Sequence, residues 1–174
     1  MNRETPGAVP PIREGGTLAG AGRPQTPFLS QVIHEYVDYN GHMSEAYYVL
    51  IFGHATDAFY DHVGLDHAYR EQHRISIYTV EAHIRYLIEA HDGDALHIAT
   101  HVLGYDSKRL RLHHTMRRGT DTLAVTELML LHVDKTALRA TPFHPEPLAR
   151  IAAIAAAQAS APPPEPATSR HWGA

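Results

Sequence analysis

A chain of 174 residues with 44% hydrophobic content suits one folded domain with short extensions. Its net charge of -4 and its lack of any Lys/Arg block exclude nucleic acid as a partner. The absence of cysteine excludes disulfides, thiol catalysis and thiolate metal sites, and fits a reducing cytoplasm.

Residues 1–26 are dominated by Gly, Pro and Thr, show no hydrophobic period and lack the apolar run of a secretory signal. They are expected to be a flexible tail on a cytoplasmic protein. No stretch is long and apolar enough to span a bilayer, so no membrane contact is expected. The folded unit is expected over 27–144. Residues 28–37 read as a first strand. Residues 44–63 read as a helix, with Ser44 at the N-cap and Gly64 at the stop. Tyr47, Tyr48, Val49, Ile51, Phe52, Ala55 and Phe59 spread well beyond one stripe, so this helix is expected to be enclosed on most sides. Residues 66–72 can form a short second helix.

Four strand-like runs follow. Over 76–89 a period of two puts Tyr78, Val80, Ala82, Ile84, Tyr86 and Ile88 on one face. Thr79, Glu81, His83, Arg85 and Leu87 fall on the other. Residues 95–103, 109–116 and 123–134 alternate likewise, separated by turns at 90–94, 104–107 and 118–121. Short turns imply antiparallel neighbours. The economical solution is an α+β architecture, a five-stranded curled antiparallel sheet wrapped around a long central helix. This arrangement is the hot-dog fold. Residues 145–174 divide into an Ala-rich helix over 145–159 and a Pro-rich stretch from 161 that is expected to be disordered.

Asp38 is the candidate for chemistry. It lies in the turn Val37-Asp38-Tyr39-Asn40-Gly41-His42-Met43, just ahead of the long helix. A carboxylate there sits near unpaired backbone N–H groups and the positive end of a helix dipole. That place suits attack on a carbonyl and stabilisation of the resulting oxyanion. Gly41 supplies either a positive φ or close backbone approach. His42 either polarises a group or packs at the turn. Taken alone, Asp in a turn is usually structural. The chain has 15 histidines, and His54, Asp57 and Asp61 fall near helical spacing. There is no His-Glu-x-x-His motif, and the adjacent pair His113-His114 would point to opposite faces of a strand. No metal and no cofactor are expected.

The run Asp38-Tyr39-Asn40-Gly41-His42-Met43 followed by Tyr47 resembles the signature of the 4-hydroxybenzoyl-CoA thioesterase-like family of hot-dog acyl-CoA thioesterases. That signature reads Asp, two residues, Gly-His, an aliphatic residue, Asn, then a Tyr a few residues on. Ser44 stands where the family has Asn, and a hydroxyl cannot reproduce both hydrogen-bonding ends of an amide. Tyr78-Thr79-Val80-Glu81-Ala82-His83, Val102-Leu103-Gly104, Ser107-Lys108-Arg109-Leu110 and Met129-Leu130-Leu131-His132-Val133-Asp134 extend the likeness. They are most similar to the betainyl-CoA thioesterases of carnitine breakdown, found alone or fused to carnitine dehydrogenase.

The resemblance implies an acyl-CoA substrate, with Asp38 as nucleophile or general base and Gly41 and His42 beside it. It implies substrate contacts at Tyr39, Tyr47, Tyr48 and Tyr78, which with Tyr86 lie in the matching segments, since aromatic faces and a nearby carboxylate hold a trimethylammonium group, although these rings serve equally well as core. It implies pairing of subunits edge to edge into a homodimer or homotetramer. Glu81 and His83 would then either reach a neighbour's Asp38 or remain a solvent face. Lys108, Arg109 and Arg111 are the candidates for CoA phosphates, with Arg117 and Arg118 beyond them. An aromatic or fatty acyl-CoA is the alternative substrate, and a non-catalytic acyl-CoA binder is the alternative class.

Overall fold

The computed structural model describes residues 27–167. The N-terminal extension 1–26 and residues 168–174 lie outside the described residues. The elements are β1 (Phe28–Gln31), α1 (Glu45–Val63), α2 (His67–His73), β2 (Ile75–Tyr86), β3 (Ala95–Tyr105), β4 (Arg109–Arg118), β5 (Asp121–Asp134), β6 (Arg139–Ala140) and α3 (Pro145–Gln158). The antiparallel sheet has the order β1-β3-β4-β5-β2, and the two-residue β6, which the alternation pattern did not announce, adds to β5. A long helix against one curled antiparallel sheet is the expected hot-dog arrangement.

β1 stops earlier than its sequence suggests. Its only partner is β3, and the ladder runs from Phe28↔Ile98 to Gln31↔Ala95, where β3 begins. Beyond that point the chain closes on the 91–94 turn through Val32 N–H to Asp94 O (2.9 Å) and Gly93 N–H to Val32 O (2.9 Å). It then coils through a single 3-10 turn, His34–Tyr36.

α1 buries Tyr48, Ile51, Phe52, Ala55, Thr56, Phe59, Tyr60 and Val63, a three-four spacing that defines one face. Phe59 and Val63 are fully buried, and Ile51 and Ala55 are 1% exposed. The opposite face is not enclosed by this chain: Val49 is 51% exposed and Leu50 41%. The expected near-complete enclosure is therefore corrected to coverage on one side. Apolar content alone cannot distinguish a helix buried by its own sheet from one that leaves a face for a second surface.

One polar network crosses the core. The Thr56 hydroxyl donates to Phe52 O (2.9 Å), so it accepts from His114 Nε2 (2.9 Å). His114 Nδ1 then accepts from the Thr100 hydroxyl (3.0 Å). This satisfies a fully buried imidazole in its neutral form. Burial, and then the neighbouring His113, hold its pKa down to about 3.

β2 corrects the simple alternation. A bulge between Thr79 and Glu81 inserts an extra residue opposite β5. Before it, Ile77 turns inward and packs on the Leu110, Leu112 and Leu130 cluster. After it, Ile84 turns inward onto the cluster around Tyr48 and Ile51. Tyr78, a neighbour of Ile77, therefore faces outward at 46% exposure, and so do Glu81 and His83. Among the described residues β2 pairs only with β5, which leaves one long side of its ladder open there.

The C-terminal segment does two jobs. β1 covers β3 only as far as Ile98, and α3 covers the next part of that edge. Gln158 imitates a strand there: its Oε1 accepts from Val102 N–H and its Nε2 donates to Thr100 O, both at 2.9 Å. The Pro-rich stretch beyond is ordered against the outer sheet face as far as Ala167, contrary to the expectation of disorder. Proline offers only acceptors, and the sheet supplies donors. Arg85 donates to Pro166 O (2.7 Å) and pairs with Glu165 (3.1 Å), and His113 Nε2 donates to Glu165 O (2.7 Å). Ala167 N–H donates to Glu127 (3.0 Å), and Ala167 is 3% exposed.

Candidate active site

The Asp38 turn is a closed loop. Val37 and Met43 form an isolated antiparallel bridge. Asp38 N–H donates to His42 O (3.1 Å) and Gly41 N–H to Asp38 O (3.0 Å). Gly41 has φ 83°, and a Cβ there would meet nothing within 4 Å, so glycine is needed for its dihedral rather than for space. One Asp38 oxygen, Oδ1, accepts from Asn40 N–H (2.8 Å). That Asx contact fixes the carboxylate and leaves the other oxygen for chemistry.

The loop is braced by a segment that sequence reasoning left as plain turn material. Met43 N–H donates to Ala90 O (2.7 Å), and Ala90 N–H donates to the Tyr48 hydroxyl (3.0 Å). His91 Nδ1 lies 3.2 Å from Gly41 O, and His42 Nε2 lies 3.6 Å from a Glu89 carboxylate oxygen. Glu89, Ala90 and His91 sit about fifty residues from the loop they hold, and nothing in their local pattern signals the contact.

Ser44 occupies the N-cap position of α1, with φ -65° and ψ 147°, but its side chain makes no capping hydrogen bond. Its own N–H donates to Tyr36 O (2.9 Å). The N–H groups of Glu45 and Ala46, the first of the helix, have no partner among the described residues. Two donors and the positive end of a 19-residue helix thus stand open directly after the Asp38 turn. An oxyanion fits that place.

The tyrosines divide. Tyr48 is 4% exposed with its hydroxyl engaged, which gives it a packing role. Tyr47 is half-buried and stacks on Tyr36 at 4.3 Å between ring centroids. Tyr39 is 96% exposed at the tip of the turn. Tyr78 is on the outer face of β2, and Glu81 and His83 form an exposed pair of their own there at 2.6 Å. This chain does not bring those three residues to its own Asp38.

Lys108, Arg109 and Arg111 lie at the opposite end of the sheet, where β4 packs under the last turns of α1. Arg109 pairs with Asp106 (2.6 Å) and Arg111 with Glu127 (3.4 Å). At the Asp38 end, Arg118 is tied to Asp94 (2.7 Å) and Asp121 (3.4 Å), and Arg117 is exposed. A cleft of about 610 Å³ also lies at the far end, lined by Tyr69, His73, His144, Glu146 and Arg150. At 1.5 Å per residue the helix puts it roughly 28 Å from the Asp38 turn. It is not where Asp38 is. Among the described residues no group of three His, Asp or Glu side chains could hold a metal ion, and no helix is long and apolar enough to cross a membrane.

The family model described as the thioesterase-like superfamily matches residues 32–153. The betainyl-CoA thioesterase of Pseudomonas aeruginosa is 42% identical over 142 residues, covering 80% of this chain and 89% of the relative. The L-carnitine dehydrogenase/betainyl-CoA thioesterase of Agrobacterium fabrum is 50% identical over 111 residues, which is 63% of this chain but only 23% of that larger protein. Among solved structures, a hypothetical protein of Staphylococcus aureus in complex with CoA superposes with a TM-score of 0.78 at 28% identity. That likeness covers 84% of this chain and 94% of the other.

Proposed function

This chain belongs to the thioesterase-like superfamily, and on that footing we propose that it hydrolyses betainyl-CoA to glycine betaine and CoA. The observation that carries the reading is an Asp38 oxygen left free in the turn that leads straight into the unfilled N–H groups of Glu45 and Ala46. The thioester carbonyl oxygen accepts from those N–H groups, which hold the negative charge that develops there. Asp38 then acts in one of two ways. As nucleophile it bonds to the acyl carbon and the C–S bond breaks; the CoA thiolate leaves and takes up a proton, and water cleaves the mixed anhydride. As general base it takes a proton from the water that attacks.

The open long side of β2 supports a homodimer. Its exposed Tyr78 (46%) and Val80 (57%) and the bare face of α1 at Val49 and Leu50 would meet a second copy. The active site then lies at the seam, where Glu81 and His83 of one copy approach the other. Lys108, Arg109 and Arg111 stand at the far end of their own sheet, so CoA phosphates would reach them only from the site of a second copy. Acyl-CoA is a cytoplasmic metabolite, and a chain without cysteine suits that compartment.

Thiol release from betainyl-CoA, benzoyl-CoA and palmitoyl-CoA by the full chain tests the substrate. Betainyl-CoA is expected to give the highest kcat/KM. A preference for palmitoyl-CoA would overturn the substrate reading, and equal rates for wild type and Asp38→Ala would overturn the catalytic one.

A further inference from the structure

Resting on the betainyl-CoA reading, we propose that Glu45 and Tyr86 are the residues that select the acyl group, by holding its fixed positive charge. Only one methylene separates the trimethylammonium from the reacting carbonyl, so whatever recognises the cation must stand close to Asp38. Glu45 does: it is the first residue of α1, two positions past Met43, which bridges back to Val37. Tyr86 ends β2 on the inward-facing side and meets the start of the same helix through Tyr48. The two rings are T-shaped, with centroids 5.2 Å apart and planes at 76°.

The Tyr86 ring is held and yet available. Tyr48 behind it is locked by the Ala90 N–H, while Tyr86 itself is 47% exposed. Glu45 lies one helical turn before Tyr48 on the same face of α1, so its side chain and the Tyr86 ring flank the same tyrosine; burial, and then the Glu45 carboxylate, push the Tyr86 phenol above its ordinary pKa. An aromatic face with a carboxylate beside it is the arrangement that binds a quaternary ammonium, which offers no hydrogen to donate.

The charge balance points the same way. Asp38, Glu45 and Glu89 are three carboxylates around one turn. Among the described residues none of the three carboxylates pairs with a Lys or Arg: the Glu89 carboxylate is near His42, and Arg118, which reaches the Glu89 backbone carbonyl, is held by Asp94 and Asp121. An anionic acyl group is repelled there, and an alkyl chain gains nothing from the charge. A permanent cation relieves the repulsion among the carboxylates.

The test compares betainyl-CoA with 3,3-dimethylbutanoyl-CoA, the neutral isostere in which carbon replaces the ammonium nitrogen. The quantity read is the ratio of kcat/KM for the charged over the neutral thioester. Glu45→Gln and Tyr86→Leu are each expected to lower that ratio by about tenfold, mainly through KM, and Tyr86→Phe to preserve it because the ring face remains. A ratio within twofold of wild type in both Glu45→Gln and Tyr86→Leu overturns the assignment of these residues while leaving the substrate reading intact. A wild type that does not prefer betainyl-CoA over its isostere overturns the cation-selection proposal. A wild type inactive on betainyl-CoA overturns the substrate reading itself, and this proposal with it.

Discussion

The two ends of α1 are finished in opposite ways. At the C-terminal end Gly64 adopts φ 79°, and the N–H groups of Gly64 and Leu65 close onto Asp61 O and Tyr60 O. The next residues continue the closure, since the Asp66 carboxylate caps α2 by accepting from Tyr69 N–H at 2.8 Å. At the N-terminal end the cap side chain makes no bond, two helix N–H groups stand open, and apolar side chains one turn on are exposed. One end spends its backbone groups on stability. The other leaves them without a partner among the described residues, and the fold tolerates this because the Asp38 turn is fastened independently to the 89–91 segment.

That contrast can be broken from the open end first. Asp38→Ala removes the reactive oxygen from a loop held mainly by backbone bonds, so the protein is expected to fold. Its kcat in thiol release should drop about 10²–10⁴-fold. Placing a charge on the open ladder with Val80→Lys should turn the proposed dimer into monomers in light scattering and reduce activity with it.

The closed interior has its own signature. His114 is neutral when folded, with a pKa held near 3 by burial, and titrates near 6.5 when unfolded. The unfolded state therefore binds the extra proton between those values. The stability from this group is complete above pH 6.5 and is lost as pH falls, by up to about 1.4 kcal/mol per pH unit. His114→Gln should flatten the dependence of the urea midpoint between pH 7 and 5, whatever its effect on absolute stability. Burial also lowers the pKa of His113 and His132, so part of the slope remains in the variant.

The sharpest tests exchange the character of the two ends. Gly64→Ala forces a β-carbon into the left-handed region and moves the end of the Arg150 side chain; it should cost about 1 kcal/mol in thermal unfolding and leave kcat unchanged. Ser44→Asp supplies the missing cap, and should raise stability by about 1 kcal/mol while slowing thiol release, because its carboxylate takes the N–H groups meant for the oxyanion. A variant that is both more stable and fully active would show that those donors play no part in the reaction.

Much of this was readable along the chain. The run from Asp38 to Met43, the 44–63 helix with its Gly64 stop, and the order of the strands all depend on neighbours within a few residues. Local periodicity and turn chemistry register such features directly. β1 was overextended because a strand lasts only as long as its partner, and its partner begins at Ala95. The Pro-rich stretch was misjudged because composition does not record that Arg85 and His113 wait as donors on a distant face.

By itself, then, the sequence determined the turn, the helix that follows it and the succession of strands, since each is set by short-range spacing. Tertiary structure decided which β2 side chains face the site. A one-residue bulge reverses every side chain beyond it without disturbing the hydrophobic count. It also brought Glu89 to His42 and Tyr86 to the start of α1. Contacts between segments so far apart depend on how the sheet closes over the helix, and no local rule carries that information.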